Sequence, residues 1–206
     1  MGQAFTWRTL QRGRMVQNLM PVKSDSDEQS GHGSVELAWH TEDAFHPNRC
    51  DYLLLAGIRN HDQVPTTFSD IFDLNLSDSE RQILAQRRFS IRPDNEHIRQ
   101  LQQIAPESAA LKNMLRMRDT PEPCAVLFGE TELDSLHIDP YFMETIPGNE
   151  YAENVLTKAI SQLDAAQTDV VIHGGDLAIV NNHKAVHGRR SYSLRFDGTD
   201  RWLKKD

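Results

Sequence analysis

Nowhere does this chain stay apolar for long: its longest purely apolar run, residues 52–58, is seven residues. A membrane-spanning helix needs roughly 20 such residues, so no membrane span is expected and the core must be assembled from short pieces. Most of those pieces read as strands. Residues 15–22 mix apolar and polar side chains, and residues 35–39 put Val35, Leu37 and Trp39 on one face. Residues 51–59 are apolar enough for a strand buried on both sides, and residues 66–72 follow as a strand after Pro65. Residues 125–128 and 136–139 are shorter candidates. Residues 169–173 and 177–181 flank Gly174-Gly175, a turn of hairpin type, and residues 191–196 precede the Asp197-Gly198 turn.

Helices are fewer. Ser77-Asp78-Ser79-Glu80 has the form of a capping box, with Ile83 and Leu84 behind it, and Arg92-Pro93 is expected to end that element. Residues 96–104 space Ile98, Leu101 and Ile104 as a helix would. Residues 150–164 are the clearest case, with Ala152, Val155, Leu156, Ala159, Ile160 and Leu163 on one stripe. Residues 23–34 are polar and Ser/Gly-rich, the composition of a loop. There is no internal repeat and no βαβ rhythm. The expected fold is mainly β with inserted helices, a small barrel or jelly roll forming one domain over residues 1–206.

Charge narrows the partners. Lys and Arg total 22 against 30 Asp and Glu, a net charge of −8, which argues against a nucleic-acid backbone as ligand. A mean hydropathy of −0.57 describes a soluble globule with a modest core. No apolar segment follows Arg8, Arg12 and Arg14 as a secretory signal would require. The two cysteines, Cys50 and Cys124, have no metal-like spacing and read as reduced thiols of a cytoplasmic protein.

The nine histidines carry the chemistry. A His-x-Asp/Glu pair on a strand points both side chains to one face, where they could grip one metal ion. By chance alone a chain of this usage holds about 1.3 such pairs, and it has two, His40/Glu42 and His137/Asp139. A pair by itself therefore means nothing. His183 and His187 have the i, i+4 spacing of a zinc-protease helix, but Lys184 stands where the catalytic Glu belongs. The combination of one pair with a distant histidine is different: two histidines and a carboxylate form the open facial site of non-haem Fe(II) oxygenases. His187 lies near the end of the chain, 14 residues before Arg201. A guanidinium there suits the free carboxylate of a 2-oxo acid cosubstrate, and the Thr67 hydroxyl suits the same carboxylate.

The segment Trp39-His40-Thr41-Glu42-Asp43-Ala44-Phe45-His46-Pro47 resembles the metal-binding segment of the clavaminate synthase-like Fe(II)/2-oxoglutarate oxygenases, which include hydroxylases of free arginine, asparagine and lysine. The resemblance continues through Arg59-Asn60, Val64-Pro65-Thr66-Thr67, Val126-Leu127-Phe128-Gly129 and Ile138-Asp139-Pro140-Tyr141-Phe142-Met143. It closes on Gly175-Asp176, Asn181-Asn182, Ala185-Val186-His187-Gly188-Arg189 and the block from Arg195 to Trp202. It implies a double-stranded β-helix with His40, Glu42 and His187 as ligands of Fe(II). It implies 2-oxoglutarate held by Arg201 with help from Thr67, and O2 as oxidant. Asp139 takes the position of an acidic residue that contacts an amino-acid substrate, and Lys205 stands where several relatives use an arginine to hold the substrate carboxylate. Glu42 fits hydroxylation, because a halogenase leaves that ligand position vacant for chloride.

The family carries a region ahead of the segment that begins here near Phe5, so the chain is expected to comprise the core domain without it. Tyr141 replaces a second acidic side chain found in the arginine hydroxylase, which points toward lysine or a smaller amino acid, with arginine as the other candidate, oxidised at C3 or C4. A truncated, inactive relative and a metal- or 2-oxoglutarate-binding module without turnover are the alternatives. The oligomeric state is not legible in the sequence.

Overall fold

The structure is a computed structural model and describes residues 2–23, 26–27, 29–129 and 134–206. In chain order its strands are β1 (Gln17–Leu19), β2 (Leu37–His40), β3 (Tyr52–Arg59), β4 (Thr66–Asp70), β5 (Phe89–Ile91), β6 (Leu127–Phe128), β7 (Ser135–Leu136), β8 (Met143–Thr145), β9 (Thr168–Val170), β10 (Leu177–Asn181), β11 (Ala185–Arg189) and β12 (Trp202–Lys205). The helices are α1 (Asp78–Leu84), α2 (Asn95–Ile104), α3 (Ala109–Asp119) and α4 (Glu150–Ala165). Two four-stranded sheets, ordered β1-β12-β3-β10 and β2-β11-β4-β9, form the body, with every pairing antiparallel. They face each other across Leu53, Leu55, Val180 and Leu203 of the first sheet and Phe68 and Ala185 of the second. This is the double-stranded β-helix expected from the sequence. Among the described residues no helix is long and apolar enough to cross a membrane.

A second apolar layer lies outside the β2-β11-β4-β9 sheet. There Trp39 and Val186 pack against Ala152, Val155, Leu156, Ala159 and Leu163, the stripe of α4 read from the sequence. Asn149 caps that helix by accepting from Ala152 N, and Ser77 and Glu80 form the expected capping box at α1. The outer face of the other sheet has no such cover among the described residues: Tyr52, Ile58, Leu177 and Ile179 are all exposed. Hence β3 is not buried on both sides. Its burial alternates, with Leu53 and Leu55 inward and Tyr52 and Ile58 outward.

Other expectations shift for identifiable reasons. Gly174-Gly175 does not close a hairpin, because β9 pairs with β4 in one sheet while β10 pairs with β3 in the other. The segment crosses between sheets pressed against Gly57, where a Cβ would come within 1.8 Å of the His173 carbonyl oxygen. Residues 191–196 form no strand; the backbone NH groups of Arg195 and Phe196 donate to the Asp200 carboxylate, folding the chain back on itself. α1 ends at Leu84, and β5, absent from the sequence reading, precedes Arg92-Pro93. Of loop 23–34, residues 24, 25 and 28 lie outside the described residues, and the rest are mostly turns and bends.

His137, from the second His-x-Asp pair, has a structural place beside the β6-β7 ribbon. Its NH donates to Val126 O and its ring lies 5.9 Å from that of Phe128. Burial, with help from Arg49 and His183, pushes its pKa down to about 4. An unfolded histidine takes up a proton near 6.5 and this one does not until about 4, so stability is expected to fall as pH drops through that window. Acid titration of unfolding free energy is expected to be flatter for His137→Leu between those limits. In the helix-backed core, Leu163 is fully buried, and Leu163→Ala is expected to lower stability by about 2–5 kcal/mol in urea unfolding.

Candidate metal centre

The register of β11 on β2 sets His187 directly opposite His40, with their rings 4.8 Å apart. Glu42 lies just beyond the end of β2. Its backbone is clamped by Asn182, whose Oδ1 accepts from Glu42 N at 2.7 Å while its Nδ2 donates to Glu42 O and Cys50 O. The preceding Thr41 exchanges hydrogen bonds with the backbone of Ile138, and Asp43 then turns the chain at a φ of 50°. With that turn fixed, Glu42 Oε2 lies 3.3 Å from His187 Nε2 and 3.9 Å from His40 Nε2. One donor atom from each of the three residues lies within 4.8 Å of the others, the only such His/Cys/Asp/Glu group among the described residues.

The protonation states suit a divalent cation. His40 Nδ1 sits 2.9 Å from Ala38 O; a carbonyl only accepts, so Nδ1 is the donor there and Nε2 is the nitrogen turned to the centre. Burial favours a neutral His187. Burial alone would raise the pKa of Glu42, but Lys205, His187 and His40 outweigh it and hold the carboxylate ionised well below its usual range. Two imidazoles and one carboxylate are the donor set of a non-haem iron(II) site. The residues fit the ion.

The triad opens onto a cavity of about 1200 Å³ that also meets Thr66, Arg201, Asp139, Asp94 and Lys205. Arg201 is 6% exposed, and no carboxylate neutralises it among the described residues. Its Nη2 donates to Thr66 Oγ1 at 2.9 Å, and its buried Nε has no partner. Burial, reinforced by neighbouring Arg189, pulls its pKa down to about 10. A buried cation without a counterion is a receptor for an anion. Arg189, also buried, donates to Ser30 O and Val35 O and lies over the Tyr192 ring, and its Nε likewise has no partner.

The structure separates the remaining sequence candidates. The hydroxyl beside Arg201 belongs to Thr66, whereas Thr67 pairs with Gly188 and faces away from the cavity. Adjacent strand residues point to opposite faces, so this is a displacement by one residue with an inverted side chain. Asp139 lies at the cavity, its Oδ1 accepting from Tyr141 N and Phe142 N, and burial pushes its pKa up. Lys205 pairs with Glu42 Oε1. Of the other histidines, His183 contacts Asp51 and Arg49 from a turn, so no His183/His187 helix exists. His46 stacks near Trp7 at 4.4 Å. Cys50 and Cys124 are free, and burial raises their pKa values to about 12 and about 11, leaving both as inert thiols.

Two residues that shape the site have no role in the sequence reading. Asp94 precedes α2, caps it by accepting from His97 N, and also borders the cavity; its Asp-x-x-His context signals only a helix start. Asn182 carries no sequence signature of a clamp, since its partners Glu42 and Cys50 are remote in the chain.

Comparison with known proteins agrees with this geometry. The chain is 42% identical to an enduracididine beta-hydroxylase of Streptomyces hygroscopicus, with 100% of this chain and 62% of that protein aligned. It is 36% identical to an L-ornithine/L-arginine 3-hydroxylase of Catenulispora acidiphila, again over 100% of this chain and 62% of the other. An L-lysine 3-hydroxylase of the same organism matches at 26%, over 99% of this chain and 54% of the relative. The chain thus spans less than two thirds of the length of these relatives. Among solved structures, the non-heme iron oxygenase OrfP in complex with Fe, succinate and (3S)-hydroxy-L-Arg superposes with a TM-score of 0.90 at 38% identity, covering 99% of this chain and 62% of that one. OrfP with Fe and alpha-ketoglutaric acid gives 0.84 at 37% identity, covering 99% and 59%. Residues 2–205 match the family described as taurine catabolism dioxygenase TauD, TfdA. By that match, and by the triad its fold assembles, this chain belongs to the TauD/TfdA family of dioxygenases.

Proposed function

We propose that this chain is the core of an Fe(II)/2-oxoglutarate-dependent hydroxylase that acts on a free cationic L-amino acid, with an arginine-type substrate favoured over lysine. The observation that carries the reading is the convergence of His40, Glu42 and His187 in one cavity with the unneutralised Arg201. Bound there, iron would couple oxidative decarboxylation of 2-oxoglutarate to succinate and CO2 with insertion of the other atom of O2 into a substrate C–H bond. The protein's part is placement. His40 and His187 offer their Nε2 lone pairs, and Glu42 offers its charge. Arg201 and Thr66 would hold the far carboxylate of the cosubstrate, the guanidinium supplying charge and the hydroxyl direction. Three protein ligands leave the rest of the coordination sphere for cosubstrate and oxygen.

The cavity wall also carries two carboxylates, Asp139 and Asp94. Asp139 feels the charge of Asp94, and neither pairs with a cation among the described residues. Two such carboxylates suit a substrate guanidinium or ammonium. Tyr141 lacks the acid that the arginine hydroxylase places there, but Asp94, reaching in from the start of α2, supplies a second carboxylate from another element. The identities to relatives named for enduracididine, ornithine and arginine, 42% and 36% against 26% for the lysine 3-hydroxylase, support the same preference.

Anaerobic Fe(II) plus 2-oxoglutarate is expected to give a visible charge-transfer absorption that His40→Ala abolishes; no absorption from the wild-type chain would reject the reading. Succinate release stimulated by L-arginine or L-ornithine separates an enzyme from a binding module or an inactive relative. Asp94→Asn and Asp139→Asn are each expected to raise KM for the amino acid by roughly 10–100-fold, the loss of one charged hydrogen bond, with little change in the iron–cosubstrate absorption.

A further inference from the structure

The carboxylate of Glu42 is divided between two tasks. Its Oε2 faces both imidazoles, at 3.3 Å from His187 Nε2 and 3.9 Å from His40 Nε2, whereas its Oε1 meets the Lys205 ammonium. We propose that Lys205 is a positioning residue for the metal-binding carboxylate: by occupying Oε1 it restricts Glu42 to offering Oε2 alone. This rests on the metal reading above. It departs from the role implied by resemblance, in which the residue at this position holds the carboxylate of the amino-acid substrate.

Backbone and side chain both support the assignment. Lys205 sits on β12, paired with Leu55 on one side and Gln17 on the other, so its Cα is fixed by two neighbouring strands. Along β12 the alternation is strict: Leu203 is buried among the sheets, and Lys204 turns outward to donate to Asn18 Oδ1. Lys205 therefore points inward with its side chain only 17% exposed, and Glu42 is its hydrogen-bond partner there. The contrast with Arg201 is direct. Arg201 leaves a buried Nε unpaired and awaiting an anion, while the Lys205 charge is already answered within the chain. A compact ammonium places its charge on one oxygen, where a planar guanidinium would fork across both. Restricting Glu42 to one oxygen conserves a coordination position that a chelating carboxylate would consume.

The test uses Co(II) as a spectroscopic probe with the full chain, without turnover. Lys205→Met removes the ammonium while keeping the stem, so Glu42 is free to chelate. The variant is expected to bind Co(II) about tenfold or more tightly by calorimetry, since a nearby positive charge is lost, and to show an altered visible absorption. Lys205→Arg, whose guanidinium can fork across both oxygens, is expected instead to bind Co(II) more weakly than the wild type. If Lys205→Met does not fold, judged by its melting transition, Lys205→Ala is measured with the same expectation. Wild-type affinity and absorption in the folded variant would overturn the proposal. So would a variant whose Co(II) binding is unchanged but which loses a preference for L-arginine over its decarboxylated analogue agmatine, because Lys205 would then serve the substrate. Wild-type chain that binds no Co(II) sensitive to His40→Ala would instead bring down the metal reading, and this inference with it.

Discussion

The antiparallel pairing of β2 with β11 is the constraint around which the cavity is organised. It sets His187 opposite His40, and the sequence change from strand to turn just after His40 then swings Glu42 toward both rings. Neither ligand strand is long, and neither would hold its place alone. What stiffens them is the apolar layer behind, where Trp39 and Val186, each next to a ligand histidine in sequence, pack against α4. Burial of that layer contributes stability, and the alternation of strand side chains converts it into orientation of the opposite face.

Electrostatics then divides the cavity. On its wall Arg201 stands buried with no carboxylate against it among the described residues, and Asp139 and Asp94 stand without an ion-paired cation. The triad shares the cavity with these opposite charges, and its Glu42 is already paired with Lys205. Each unanswered charge costs free energy in the empty protein, which is why both are best understood as halves of contacts that ligands complete. A dicarboxylate and a cationic amino acid have charges complementary to the guanidinium and to the two carboxylates respectively, so the charged groups of the cavity also tell them apart.

Much of this was legible from residue order. The capping box at Ser77 and the stripe of α4 follow from local periodicity and hydrogen bonding, and both appear in the structure. The expected shared face of Val35, Leu37 and Trp39 does not, because an irregularity in the β2-β11 register leaves Val35 and Leu37 on the cavity and Trp39 on the α4 side. The triad needed the resemblance of a nine-residue block, since a His-x-Glu pair is expected by chance. What could not be read has physical reasons. α3 buries only Leu111 fully and so lacks a broad stripe, although Ser108 caps it. β5 is three residues long and owes its existence to β8, a partner distant in sequence. Thr66 and Thr67 are indistinguishable until a strand register decides which one faces inward, and Asp94 serves a helix end and a cavity at once.

β12 has one more consequence. Arg201, Leu203 and Lys205 occupy alternate positions at the end of the chain described here, so a single extended segment carries both the anion receptor and the partner of Glu42. At about 3.3 Å per residue their backbones are held roughly 13 Å apart, as if by a caliper. The count between them is fixed: one added or deleted residue would rotate one of the two jaws out of the molecule.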